Sequence, residues 1–336
     1  MKANLEQKLN LYLENVNRIK KTYRMQPGMI RHLSALMYTS EGKELDTEAI
    51  RRCHDLIKAE TNVFSPFRGD MAVGVATLLS LQEAPRQLLQ QALDVYLMMK
   101  KDAAFKASDY LAMAAYQIAA NAEPDTYAAV IGRAGDFYDG MKKHHWMLTG
   151  KEDYIYNSML ALSDIPVQTG VERMEAIFEE FMNDVVLRGK IHALSQVLVL
   201  GKESAASVEK VRALREACHQ KKWRLDQEYT YPLLGVLSMM PGTAEAIAEE
   251  LAETCSFLRG QKGFKGFGAL ALSRQELTMV AASIVAYANA DEMKTSATST
   301  ALSTSITSII IAAQEAAIIA AVVVVTANSS TSSSSS

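Results

Sequence analysis

Lys142-Lys143-His144-His145-Trp146, followed by Glu152-Asp153, is the densest group of chemically capable side chains in this sequence. Two imidazoles and two carboxylates so close together are the ligand types of a transition-metal site. Adjacent histidines project in different directions, however, and no H-x-x-x-H pair sets two imidazoles on one helix face. The same residues read more simply as a solvated loop with Trp146 buried and a capped helix start, since Thr149 and Glu152 have capping-box spacing. Gly260 to Gly268 is rich in glycine and lysine like a phosphate cradle. It lacks the G-x-x-x-x-G-K-[ST] order and follows no strand, so a loop between helices is expected. Arg68-Gly69-Asp70 matches an adhesion tripeptide by chance. Cys53, Cys218 and Cys255 are widely spaced and odd in number, which implies neither a disulfide framework nor a zinc site. No metal and no cofactor is implied.

The elements that carry these residues recur. Ile19-Lys20, Ile57-Lys58, Met99-Lys100 and Met141-Lys142 are spaced by 38, 42 and 42 residues, the repeat length of stacked helical hairpins. Tyr96 to Lys101 aligns with Tyr138 to Lys143, and after similar loops Asp109-Tyr110 aligns with Asp153-Tyr154. Fainter copies centre on Phe181, on Lys221-Lys222-Trp223 and on Phe257-Leu258-Arg259. Apolar residues fall three and four apart, almost nothing alternates with a period of two, and the 7 prolines stand mostly between apolar runs. The fold class expected is all-α: an array of about seven helical hairpins, an α-solenoid-like superhelix, plus a C-terminal apolar helix. A Lys closing a helix complements the negative end of its dipole, worth on the order of 0.5 kcal/mol. Ser108 before Asp109 and Ser65 before Pro66 suit helix caps.

The body is expected to run from residue 1 to 290, with a Ser/Thr-rich linker over 291–308, an apolar helix over 309–325 and a Ser-rich tail over 326–336. The stretch 306–326 is long enough for a bilayer, but Glu315 would lie near the midplane at a cost of roughly 3 kcal/mol. Self-association or membrane contact are the two uses this segment offers. The N-terminus lacks a signal peptide's apolar core, which points to the cytoplasm. The net charge of −3 is unremarkable.

Ile57-Lys58-Ala59-Glu60-Thr61, Phe64 to Gly69, Met141 to His145, Leu148-Thr149 and Glu152-Asp153-Tyr154, with the Ala/Ile-rich C-terminus, resemble a bacterial family, mainly from Firmicutes, catalogued as a domain of unknown function and numbered 4003. The resemblance covers nearly the whole chain from about Leu5. It implies a bacterial homologue and carries over no substrate, cofactor or catalytic residue.

Comparing the loops gives one further pattern. Lys58, Phe64, Phe67 and Arg68; Lys100, Lys101, Phe105 and Lys106; Lys142, Lys143, His144, His145 and Trp146; Lys221, Lys222, Trp223 and Arg224; and Lys262, Phe264, Lys265 and Phe267 occupy one position in successive hairpins. In a stacked array such loops share an edge. They could form a stripe of cations and rings for an acidic protein or other anionic ligand, or be dipole-complementing lysines followed by aromatics that plug each loop into the core, the reading favoured here. The function expected is a non-enzymatic interaction or scaffold protein with an acidic or anionic partner. The alternative is an enzyme whose concave face gathers Asp153, Tyr154, His192, Arg68 and Arg133 for acid-base chemistry.

Overall fold

Outer and inner helices differ in how their apolar residues are arranged, and that difference builds the molecule. A computed structural model describes residues 2–26, 28–69, 71–181, 191–201, 203, 207–227, 230–264 and 270–296, without the side chains of 291–296. The residues beyond 296, including the expected apolar helix over 309–325, lie outside them. The described helices are α1 (Ala3–Thr22), α2 (Gly28–Ser40), α3 (Thr47–Glu60), α4 (Ala72–Ser80), α5 (Pro85–Met99), α6 (Asp109–Asn121) and α7 (Tyr127–His145). They continue as α8 (Asp153–Leu162), α9 (Val167–Phe181), α10 (Ile191–Leu200), α11 (Val208–Gln220), α12 (Tyr231–Ser238), α13 (Ala244–Gly260) and α14 (Arg274–Ser296). Among the described residues there is no strand.

Odd-numbered helices carry one apolar stripe. In α1 it is Leu5, Leu9, Tyr12, Val16 and Ile19, and in α3 it is Ile50, Cys53 and Ile57. Spacings of three and four keep these on one face, so such a helix covers something on one side and meets water on the other. Even-numbered helices are buried almost all round, as α4 from Ala72 to Leu79 and α6 from Leu111 to Ala119. Several of their Ser and Thr hydroxyls are satisfied within their own helix. Thr39 donates to the Ala35 carbonyl (2.7 Å), Thr77 to Val73 (2.7 Å) and Ser283 to Met279 (2.9 Å), so they enter the core without orphaned donors.

Seven hairpins result, each an outer helix followed by an inner one. The array closes on itself, because α14 packs against α1 and α2 as well as against α12 and α13. Asn4 Nδ2 donates to the Ala288 carbonyl, and Lys2 reaches Asn289 Oδ1 (2.8 Å) and Glu250 (3.2 Å). Between α4 and α6 the 3₁₀ turn Pro66–Arg68 packs on both, and its Phe67 ring meets Tyr96 edge-on at 5.7 Å.

Each outer helix begins part-way along its predecessor. Leu45 N–H, ahead of α3, donates to Asn15 in α1 (2.7 Å), and Arg133 in α7 donates to the Ser163 and Ile165 carbonyls ahead of α9 (3.0 and 2.9 Å). Lys2, ahead of α1, meets Glu250 within α13, so the same offset crosses the closure. An offset of one sign cannot accumulate around a closed ring, so the helices must tilt to the ring axis, as strands do in a sheared barrel.

Gly170 lets α9 approach α7: a Cβ there would lie 2.6 Å from Cε1 and 3.1 Å from Cζ of the buried Phe137 ring. Gly170→Ala is expected to lower stability by about 1–3 kcal/mol through this overlap. At Gly132 in α7 nothing lies within 4 Å, and Gly132→Ala is expected to gain up to about 1 kcal/mol from helix propensity. Thermal or urea unfolding of the two variants checks the contrast, and equal shifts of one sign would contradict the packing described.

Candidate binding face

Since every hairpin runs in the same direction, the ends of all outer helices and the starts of all inner helices share one rim. Side chains cap α6 and α14 on this rim, by Ser108 and Ser273, while α4, α8 and α12 have no side-chain cap. Ser108 Oγ accepts from Leu111 N–H (3.2 Å), and Asp153 accepts from Gly150 N–H (2.8 Å) at the start of α8. The Thr149–Glu152 capping box does not form; the Thr149 hydroxyl donates instead to the His145 carbonyl at the end of α7 (3.0 Å). Outer-helix ends face water with Lys20 and Lys21, Lys58, Lys142 and Lys143, and Arg259 in their last turns.

The cations expected along this rim are distributed as follows. Lys100, Lys101, Lys106, Lys143 and Lys262 are exposed. Lys142 Nζ stands 5.6 Å from the centre of the Tyr138 ring, Lys58 pairs loosely with Asp55 (3.8 Å), and Lys221 pairs with Glu249. Arg68 donates to the Thr61 carbonyl (3.3 Å). Lys222 has φ 63°, the left-handed position that ends α11, with its amide on the His219 carbonyl (2.8 Å). Lys265 and Phe267 lie outside the described residues.

The aromatic residues divide. Phe67, Phe105, Trp223 and Phe264 are buried, and Arg274 lies 4.5 Å above the Trp223 ring. Phe64 is 91% exposed and Trp146 is 70% exposed. Trp146 is therefore not the buried plug expected from sequence. It continues the turn of α7 with φ −55° and ψ −31°, while Met141 takes the inward position; Trp146 instead lines an open groove of about 1040 Å³ between α7 and α9. With them Met25, Val63, Leu97 and Met147 complete the set of large exposed apolar side chains among the described residues, and all six belong to this rim. Of these only Phe64 and Trp146 were marked by the loop pattern; Leu97 could have been found as an apolar residue off the stripe of α5.

The opposite rim is acidic. Glu41, Glu44, Asp46, Glu48, Glu83, Glu123, Asp125, Asp164 and Glu245 occupy its loops and first turns and outnumber Lys2, Lys43 and Arg86 there. The chain is thus nearly neutral in sum but polar along its axis.

Beneath the cationic rim lie ionisable groups that the sequence placed in one cleft. Asp153 is buried, its carboxyl pushed up to about 8 first by desolvation and then by Glu152. Tyr154 hydroxyl accepts from Lys106 N–H (3.2 Å), and its ring lies 5.2 Å from both Phe105 and Tyr138. His192 is held down to about 4 by burial and by His145, whose ring is 5.1 Å away. His145 bonds Glu175 (2.8 Å) and stacks on Phe178. Arg68 and Arg133 are committed to carbonyls elsewhere, and the five do not meet. In the sixth hairpin Asp226 takes Arg215 (3.2 Å), His219 (2.8 Å) and Arg224 (3.0 Å). Burial alone would raise its carboxyl, but these partners hold it well below the usual range, and Arg224 pairs with it while staying half exposed. Among the described residues no group of three or more His, Cys, Asp or Glu side chains could hold a metal ion, and no helix is long and apolar enough to cross a membrane.

A family model described as "Protein of unknown function (DUF4003)" matches residues 15–316. No curated protein and no solved structure matches the chain.

The buried carboxyl sets a pH dependence. Unfolded, Asp153 ionises near 4; folded, it keeps its proton to about 8. Its contribution to stability is therefore complete at low pH and is lost as pH rises through that window. Asp153→Asn cannot ionise, so its melting temperature is expected to fall less than the parent's between pH 5 and 8. Parallel curves would show that Asp153 is not a neutral buried acid.

Proposed function

The chain belongs to that family of unknown function, and from this premise we propose that it is a non-enzymatic interaction protein that presents its cationic rim to an acidic or anionic partner. The observation that carries the reading is the coincidence on one rim of the outward lysines and every large exposed apolar side chain among the described residues, opposite a rim of carboxylates. Charge separated along an axis orients an approaching anion and speeds its capture without changing the fold. Lys100, Lys101, Lys142, Lys143, Lys221, Lys222 and Lys262 are the cations assigned to this role, with Trp146 and Phe64 as the exposed rings among them. Exposed lysines contribute little to stability, so they can be replaced without unfolding the body.

Replacing Lys142, Lys143, Lys221 and Lys222 together with Gln is expected to lower the salt concentration at which the protein elutes from immobilised polyglutamate. Circular dichroism and melting temperature should stay within error of the parent. Unchanged elution would overturn the assignment of the partner to this rim.

A further inference from the structure

We infer that the cationic rim docks on the surface of a bilayer containing anionic phospholipid, with Phe64, Trp146 and Met147 entering the interface; this rests on the reading of the rim as an anion-binding face.

The apolar side chains are the first ground. Met25 is 96% exposed, Phe64 91% and Met147 78%, values that leave the side chains standing free of the body. They come from loops of three different hairpins, between α1 and α2, α3 and α4, and α7 and α8. A protein partner is gripped through a contiguous apolar centre that excludes water. Here the apolar groups are separate prongs, and each follows a helix end that carries lysine: Lys20 and Lys21 before Met25, Lys58 before Phe64, and Lys142 and Lys143 before Met147. A fluid surface accepts such prongs one at a time, without shape complementarity between them.

The second ground is the chemistry of the prongs. Trp and Phe settle at the level of lipid headgroups, where a ring reaches the acyl boundary while its surroundings stay wet. Lysines next to them gain from the negative potential of anionic lipid, a pairing that gives reversible surface binding. The third ground is orientation. Carboxylates on the far rim are repelled by the same surface, so the ring is turned with its lysines toward the lipid.

The chain has 2 tryptophans, and Trp223 is buried beneath Arg274, so a lipid-induced change in emission reports on Trp146. Full-length protein is to be mixed with phosphatidylcholine vesicles with and without phosphatidylglycerol, and sedimentation and Trp emission recorded. Expected are co-sedimentation and a blue shift with phosphatidylglycerol only, a shift absent in Trp146→Ser. Phe64→Ser with Met147→Ser should reduce partitioning several-fold at unchanged melting temperature. Each of Lys142→Gln and Lys143→Gln should reduce it about fivefold.

Binding with Trp146 emission unchanged would overturn insertion, and if the lysine variants still bind less, the cationic-rim reading would stand alone. Equal binding to both vesicle types would overturn anionic-lipid docking, since it would not involve the rim's charge. Retention on polyglutamate without vesicle binding would replace lipid by an acidic protein. Loss of neither with the lysine variants would remove both readings.

Discussion

The structure depends on covering the seven described inner helices, which are buried on almost every side. A helix such as α4 or α6 has no face for water, and in α4 the Thr77 hydroxyl bonds back to the Val73 carbonyl. It is stable only with neighbours all round. Outer helices with a single apolar stripe supply one half of that cover, and adjacent inner helices supply the rest. An open array would leave the inner helices at its two ends half covered. Contact of α14 with α1 and α2 removes both ends at once.

Closure has consequences for packing at the joints. At some joints the close approach needs a glycine, as at Gly170 against Phe137. Where α4 and α6 diverge, the turn carrying Phe67 fills the space. Long polar side chains then tie the outer layer together across hairpins, Arg133 by two carbonyls and Asn15 by its bond from Leu45 N–H. These bonds fix the tilt that a closed ring requires.

The same hairpin direction, repeated, produces the electrical polarity of the molecule. A helix dipole favours acids in the first turn and bases in the last by a fraction of a kcal/mol, and α1, α3 and α13 carry both. Placed in parallel around a ring, these small preferences gather as a basic rim and an acidic rim. Ser108 and Ser273 cap the positive ends of α6 and α14 on the basic rim, where the exposed lysines dominate what a partner meets.

The sequence by itself determined the helices, their pairing into hairpins and the equivalence of Ile19, Ile57, Met99 and Met141, all buried near the ends of outer helices. It also located the caps at Ser65 and Ser108, because these depend on a few neighbouring residues. The loop lysines were legible for the same reason. Only the tertiary structure decided that the array is a ring, since closure is the sum of small tilts at seven joints and no local pattern encodes a sum. It alone decided which loop aromatics face inward. Trp146 and Trp223 have similar neighbours in sequence, yet one lies open beside α9 and the other under Arg274. It likewise separated Arg68 and Arg133 from Asp153, because which side chains converge depends on the rotation of each helix against its neighbours.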